Sequence, residues 1–325
     1  MMTRLALIQL PPVFLNLRES LQAALGHIAA AAGDGADIVI FPESWLPGYP
    51  VWLDEAPGTA LWDNAGARQL YRLLSENALS LDGAEIAALC ETARQTGALI
   101  VMGAHERRGG TLYNTTLMIT PDGTVAPHRK LVPTYTERLV WGMGDGATLA
   151  TVETDFGVLG GLICWEHWMP LARAAMHAKN EMLHIAQWPT VNDMHQIASR
   201  HYAFEGRCFV AASGCLLSRG DVLAGFKSLK ADAPDARALL ESIPGPDDRL
   251  LQRGGSCVIG PDGQFVTEPV FDTTGVVTAE IDPATVAEYR LTLDTAGHYA
   301  RPDIFQLNID TRARRSVVES HDKTQ

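Results

Sequence analysis

The chain has 325 residues, of which 46% are hydrophobic and 20% charged, a composition that is typical of a globular protein and excludes a disordered one. Its 26 basic and 38 acidic residues give a formal net charge of −12, which argues against nucleic acid as the main partner. Five cysteines are an odd number in a long chain, so we do not expect a disulfide framework. No apolar stretch approaches the ~18–20 residues of a membrane helix, and we therefore expect a cytoplasmic protein without a membrane partner.

The hydrophobic pattern predicts alternating strands and helices along the chain. In chain order it predicts a strand over 5–10, a helix over 16–32, strands over 37–41 and 98–103 with a helix over 82–96 between them, strands over 112–120 and 124–128, a strand over 158–163, a helix over 170–179, a strand over 182–186, a helix over 193–206, and strands over 208–213, 256–260 and 264–269.

Two Pro-Asp-Gly sequences, at 121–123 and 261–263, each lie between predicted strands and predict tight turns. They suggest hairpins in equivalent roles on two sheets. Residues 217–253 are rich in Asp, Gly and Pro, and we expect a long surface excursion with a short helix near 236–241. No linker divides the chain, so we predict one α/β domain over 1–309, followed by a polar, disordered tail over 310–325.

Three loops that follow predicted strands carry reactive side chains. Glu43 emerges from the apolar run DIVIF, where partial burial would raise its pKa and suit a general base. Lys130 ends a hairpin strand in a chain with only five Lys against 21 Arg, and its ammonium could stabilise a developing negative charge. Cys164 follows an apolar strand and precedes a predicted helix, an environment that lowers a thiol pKa. Taken singly, each has a commoner interpretation, as a solvated Glu, a surface Lys or a structural Cys.

The sequence CWEH leaves two other kinds of site open. Cys164 and His167 have a metal-ligand spacing, but a structural zinc site usually needs a second such pair, and none follows. A papain-like Cys–His pair is the other alternative, with His184, His201 or His298 as the base, and nothing in the sequence selects among them. The remaining cysteines lie in apolar strands or a helix, as structural thiols do: Cys90, Cys208, Cys215 and Cys257.

Taken together, the three loops closely resemble those of the nitrilase superfamily of carbon–nitrogen hydrolases. That family uses a Glu-Lys-Cys triad in this chain order, which matches Glu43 in FPESWLPGYP, Lys130 in HRKLVPTYTER and Cys164 in GLICWEHWMP. The family's accessory glutamate matches Glu137. The resemblance covers nearly the whole chain, through GHYARPDIF at 297–305.

The residues after the cysteine are similar to the nitrilase branch, which also contains cyanide-degrading members. Amidase and carbamoylase branches typically place a different aromatic residue and an aspartate there, where this chain has Trp165 and Glu166. The resemblance implies an αββα sandwich of two mixed sheets, no metal and no organic cofactor, and a homodimer or larger homo-oligomer. For Glu137, a surface salt bridge with Arg138 or Arg129 remains the alternative.

The implied reaction is the hydrolysis of an arylaliphatic or aliphatic nitrile to the carboxylic acid and ammonia, with Cys164 as the nucleophile. A cyanide-degrading enzyme and an amidase of the same superfamily are the alternatives. All seven Trp precede residue 189, which predicts an apolar, aromatic substrate cleft, with core packing as the competing explanation. The candidate substrate-binding residues are Trp45, Tyr49, Trp165, His167 and Trp188.

Overall fold

The computed structural model describes residues 2–314. Its strands are β1 (Thr3–Gln9), β2 (Ile38–Ile40), β3 (Leu99–Arg108), β4 (Thr111–Ile119), β5 (Val125–Arg129), β6 (Thr151–Thr154), β7 (Gly157–Ile163), β8 (Glu181–Gln187), β9 (Phe209–Ser213), β10 (Leu216–Ser218), β11 (Leu250–Ile259), β12 (Phe265–Phe271) and β13 (Gly275–Ile281). Its α-helices are α1 (Leu17–Gly33), α2 (Trp52–Glu55), α3 (Ala65–Glu76), α4 (Ala84–Thr96), α5 (Pro170–His177), α6 (Asp193–Gly206), α7 (Arg219–Ser228), α8 (Pro234–Glu241) and α9 (Thr285–Arg290).

The strands form two mixed sheets. The first has six strands in the order β13-β1-β2-β3-β4-β5, and the second has seven, β10-β11-β9-β8-β7-β6, with β12 paired to β11. In each sheet three consecutive central strands are parallel, β1-β2-β3 in the first and β7-β8-β9 in the second. The carboxyl ends of parallel strands meet at one edge of a sheet, where side chains from successive loops come together.

Three apolar layers hold the sheets and helices together. The middle layer joins the two sheets through residues such as Leu7, Ile40 and Val101 on one side and Leu183 and Ile185 on the other. A second layer packs α1, α3 and α4 on the outer face of the first sheet, and a third packs α5 and α6 on the outer face of the second. The predicted αββα sandwich is therefore confirmed.

The two Pro-Asp-Gly turns connect β4 to β5 and β11 to β12, one hairpin in each sheet, as predicted. Their last residues, Gly123 and Gly263, have φ values of 89° and 78°, in the left-handed region that a glycine adopts without strain. The helix predicted over 193–206 coincides with α6, whereas the helix predicted over 170–179 ends at His177.

The prediction of a surface excursion over 217–253 is wrong. The segment contains β10, α7, α8 and the start of β11, and both helices pack into the outer apolar layer through residues such as Phe226 and Leu240. Both helices carry start signals, the N-cap Ser218 and the first-turn Pro234. The short helix predicted near 236–241 coincides with α8, whereas α7 was missed because it is too short for periodicity to outweigh the surrounding Asp, Gly and Pro.

The C-terminal tail is only partly described. Asp310 accepts hydrogen bonds from the Arg312 and Arg314 guanidinium groups, and residues 315–325 of the predicted tail lie outside the described residues, so the domain boundary stays a prediction. Over residues 2–314, no helix combines the length and the apolar character that crossing a membrane requires.

Candidate active site

Glu43 lies at the carboxyl end of β2, where the chain turns away from the first sheet. The turn passes close to Gly103 of the neighbouring strand β3. A side chain there would not fit, because its Cβ atom would lie 2.1 Å from the Pro42 carbonyl oxygen. The Glu43 carboxylate is buried, and its Oε1 accepts hydrogen bonds from Asn114 Nδ2 at 2.6 Å and Lys130 Nζ at 2.9 Å. The predicted base is thus removed from solvent and held by two donors.

Lys130 directly follows β5 and is also buried. Its backbone N–H donates to the Asn114 carbonyl oxygen, and its own carbonyl accepts from the Gly144 N–H, both at 2.8 Å. The ammonium lies 5.9 Å from the centre of the Trp141 ring, a favourable cation–π position. Burial alone would lower the pKa of Lys130, but the neighbouring negative charges outweigh burial and raise the pKa, so the ammonium stays charged.

Glu137 lies in the 3₁₀ helix Tyr135–Leu139 and faces inward. Its Oε2 accepts from Lys130 Nζ at 2.7 Å and from the Thr134 N–H at 2.6 Å, and its Oε1 accepts from the Tyr49 hydroxyl at 3.0 Å. The alternative of a surface salt bridge is wrong, because the carboxylate is buried and Arg129 pairs with Glu106 instead. Lys130 therefore lies between two buried carboxylates.

Cys164 follows β7 and begins the 3₁₀ helix Cys164–Trp168. Its φ of 51° is unusual for a residue with a Cβ atom, and such strained backbones cluster at functional sites. The sulfur atom and one carboxylate oxygen each from Glu43 and Glu137 lie within 4.8 Å of one another. Glu43, Lys130, Glu137 and Cys164, predicted from loops far apart in the chain, therefore converge.

The expected lowering of the Cys164 pKa is wrong. Burial and the adjacent Glu43 carboxylate raise its pKa, and the lowering effects of Lys130 and the Trp165 backbone N–H do not compensate. Burial also raises the pKa of Glu43 to about 7, since the effect of Lys130 is opposed by that of Glu137. A thiol that keeps its proton next to a carboxylate with this pKa is arranged for proton transfer during attack.

A second buried ion pair connects the loops that carry Lys130 and Cys164. The Glu166 carboxylate accepts from His128 Nε2 at 2.9 Å, from the Leu131 N–H at 2.7 Å and from the Ile163 N–H at 2.6 Å. Burial lowers the pKa of His128 and raises that of Glu166, yet their mutual attraction reverses both shifts. Sequence reasoning used Glu166 only to distinguish branches of the family and missed this connection.

The contacts of His167 argue against a metal site formed with the Cys164 thiol. Its Nδ1 lies 2.7 Å from the Cys164 carbonyl oxygen, and its Nε2 lies 3.0 Å from His184 Nε2, so neither nitrogen faces the thiol. The three bases proposed for a papain-like pair have other partners: His184 contacts His167 and Glu181, His201 is exposed and beside Glu205, and His298 bonds to a backbone carbonyl. Within residues 2–314, the groups that could bind a metal are Glu43, Glu137 and Cys164 themselves, and Lys130 already forms a salt bridge with each of the two carboxylates.

A cavity of about 410 Å³ opens onto Cys164 and Glu137. Of the candidate substrate-binding residues, Tyr49 and Trp165 line it. Trp45 is buried and donates to the Leu10 carbonyl oxygen, whereas Trp188 and His167 stack on each other in the outer layer of the second sheet. Most of the lining surface is apolar, and polar residues complete the wall: Asp54, Glu55, Thr134, Thr136, Thr190, Asn192, His195 and Gln252.

Comparison with known proteins agrees with this architecture. The family model described as carbon-nitrogen hydrolase matches residues 4–291. An aliphatic nitrilase from Sinorhizobium fredii is 37% identical over 97% of this chain and 98% of its own length, and Nitrilase 1 from Arabidopsis thaliana is 35% identical over 97% and 89%. Among solved structures, a carbon–nitrogen hydrolase from Helicobacter pylori G27 superposes with a TM-score of 0.65 at 17% identity, over 90% of this chain and 93% of that one.

Proposed function

Since this chain belongs to the carbon–nitrogen hydrolase family, we propose that it is a nitrilase, which hydrolyses an organic nitrile to a carboxylic acid and ammonia. The observation that carries the proposal is a buried thiol, Cys164, beside a carboxylate, Glu43, whose pKa is raised to about 7. Full-length relatives at 35–37% identity bear the name nitrilase, which supports nitriles as the substrates.

The first half of the reaction forms a covalent bond to the enzyme. The Cys164 sulfur attacks the nitrile carbon while Glu43 takes the thiol proton and delivers it to the nitrogen, which gives a thioimidate. Water then adds to the thioimidate carbon as Glu43 takes one of its protons and passes it to the nitrogen. The tetrahedral species that results carries a hydroxyl, an amino group and the sulfur on one carbon.

The second half of the reaction releases the products. Glu43 transfers the hydroxyl proton to the amino group, and the carbon–nitrogen bond breaks to release ammonia and leave the carbonyl of a thioester. A second water, activated by Glu43, breaks the carbon–sulfur bond and regenerates the thiol. Lys130 and the Trp165 backbone N–H stabilise negative charge on the intermediates, and Glu137 holds the ammonium in position.

We infer an aliphatic or arylaliphatic nitrile as the substrate, because the cavity of about 410 Å³ has room for more than cyanide and exposes the Trp165 ring. The test measures ammonia release from propionitrile and phenylacetonitrile and from the matching amides. Turnover of the nitriles supports a nitrilase, turnover of the amides alone would make it an amidase, and turnover of cyanide alone would make it a cyanide-degrading enzyme.

A matched pair of cysteine variants tests the nucleophile. We expect C164A to fold and to lose turnover, because the Cys164 sulfur that would form the thioimidate is the thiol beside Glu43. C208A is the control, since Cys208 is also buried but lies in the outer apolar layer of the second sheet. Full activity in C164A would contradict the proposed mechanism.

We also propose a cytoplasmic homo-oligomer. A reducing compartment keeps a thiol nucleophile active, and the five cysteines are all free. Apolar side chains that α5 and α6 leave exposed on the outer face of the second sheet support association between copies of the chain: Leu171, Met194, Ile197 and Phe204.

A further inference from the structure

Gln252 is a buried cavity residue with no role in the mechanism above. It lies on β11, pairs with Leu217 of β10 and lines the same cavity as Cys164. Its side chain is only 3% exposed, yet neither Oε1 nor Nε2 has a hydrogen-bond partner among residues 2–314. Buried polar groups are nearly always paired, so this amide requires a partner from the cavity itself.

Other buried glutamines of the chain show what a structural amide looks like here. Gln9 donates to the Val270 and Thr273 carbonyl oxygens at 2.9 and 2.8 Å. Gln187 donates to the Phe41 carbonyl oxygen at 2.6 Å. Both amides connect separate segments of the fold, whereas Gln252 connects none. A purely structural requirement at position 252 would be met equally well by an apolar side chain.

The charges of the cavity wall restrict what can bind to this amide. The ionisable acids of the wall are Asp54, Glu55 and Glu137, and no Lys or Arg lies among the lining residues. Glu55 is neutralised by Arg249 at 2.5 Å, but Asp54 accepts only from the Thr136 hydroxyl and forms no salt bridge within residues 2–314. A carboxylate on the substrate would therefore meet an unpaired negative charge.

We propose that Gln252 is a specificity-determining residue that binds a neutral hydrogen-bonding substituent, a hydroxyl or a carboxamide, on the organic part of the nitrile. The side-chain carbonyl accepts from the substituent and the amide NH₂ donates to it, so both unpaired atoms gain a partner. The inference rests on the proposed nitrilase function and specifies its substrate class. A site built for hydrogen bonds discriminates against an analogue that lacks them, because its polar groups are then left unpaired.

The test compares 3-hydroxypropionitrile with butyronitrile, which differ by a hydroxyl in place of a methyl group. We expect the wild-type protein to favour the hydroxynitrile in kcat/KM by about tenfold or more. Q252M, which keeps the length of the side chain, should bring the ratio close to one, and Q252A should do the same. Each ratio comes from one preparation, so a partly folded variant still gives a valid value.

Q95M is the control, because Gln95 is an exposed residue of α4 that donates to Glu91, and its ratio should equal that of the wild type. Thermal unfolding provides a second readout: we expect Q252M to be no less stable than the wild type, since two unpaired buried polar atoms are removed. A wild-type ratio near one, or an unchanged ratio in Q252M, would overturn the inference while leaving the nitrilase function intact. Failure to hydrolyse any nitrile would overturn both.

A second pair of substrates tests the charge. We expect 3-cyanopropanamide to be favoured over 3-cyanopropanoate by about tenfold or more, because only the second carries a carboxylate. D54N should reduce the preference for the amide over the carboxylate, because the negative charge is removed. D34N, at the exposed end of α1, should leave this preference unchanged. A preference for the carboxylate would overturn the restriction to neutral substituents.

Discussion

Replacement of Glu166 by Gln is expected to damage both stability and activity, although Glu166 is outside the reacting cluster. Its two carboxylate oxygens accept from the Leu131 N–H, the Ile163 N–H and the His128 ring. A glutamine keeps the size but has one accepting oxygen, so its NH₂ group would face a donor in either orientation. His128 would also lose its charged partner in a fully buried position.

The magnitude follows from the burial of the pair. Breaking a buried ion pair from one side costs about 3–5 kcal/mol, because a charged or polar group is left without compensation. At roughly 2 °C per kcal/mol for a chain of this size, the unfolding midpoint should fall by about 6–10 °C. Because Glu166 connects the loops of Lys130 and Cys164, a displacement of about 1 Å between them should lower kcat by about 100-fold.

The assay combines thermal unfolding, followed by tryptophan fluorescence, with ammonia release from a saturating nitrile. E76Q is the control, because Glu76 forms an exposed pair with Arg72 on α3, and such pairs contribute below about 1 kcal/mol. The difference in stability between E166Q and the wild type should decrease as the pH falls, since protonation of Glu166 removes the same charge from the wild type. An E166Q protein with wild-type stability and kcat would refute the reasoning.

Three further predictions concern the site and its surroundings. Glu43 acts as a base only when it is ionised, and its pKa is about 7, so kcat/KM should fall as the pH drops below about 7. In E137Q this fall should occur at a lower pH, because the Glu137 charge raises the Glu43 pKa. W165A should raise KM for phenylacetonitrile by about tenfold and change KM for propionitrile less, because an aromatic contact contributes about 0.5–1.5 kcal/mol. I197E should shift the sedimentation profile towards smaller species, since Ile197 is 58% exposed on α6 and a charge there opposes apolar association. An unchanged distribution of oligomer sizes would place the interface elsewhere.

The reacting groups could be predicted from the sequence because each lies within three residues of the end of a strand, in a distinctive short motif. Glu43, Lys130 and Cys164 are adjacent in the chain to the elements that position them, so order and spacing carry the information. The pKa of Cys164 could not be predicted, because it depends on complete burial and on a carboxylate from the other sheet. Local sequence contains neither quantity.

Residues whose role depends on a distant partner were missed or misplaced. Asn114 lies in the middle of β4, where an inward-facing polar residue has no local signal, yet it donates to Glu43. Gln252 differs from the structural Gln187 only in what surrounds it. The tryptophan distribution predicted an aromatic-lined cleft, but Trp45 and Trp188 face the apolar layers. A Trp in a strand-end loop can either pack in the core or line a binding site, and the sequence does not distinguish the two.

The two halves of the reacting cluster come from different sheets. Glu43 and Lys130 follow strands of the first sheet, whereas Cys164 follows a strand of the second. Side-chain packing in the middle layer and hydrogen bonds between the sheets, such as those of Glu166, align the two. Neither sheet alone contains both a nucleophile and a base. The catalytic rate therefore depends on how the two sheets are aligned. A substitution deep between the sheets can abolish activity although every reacting residue is still present.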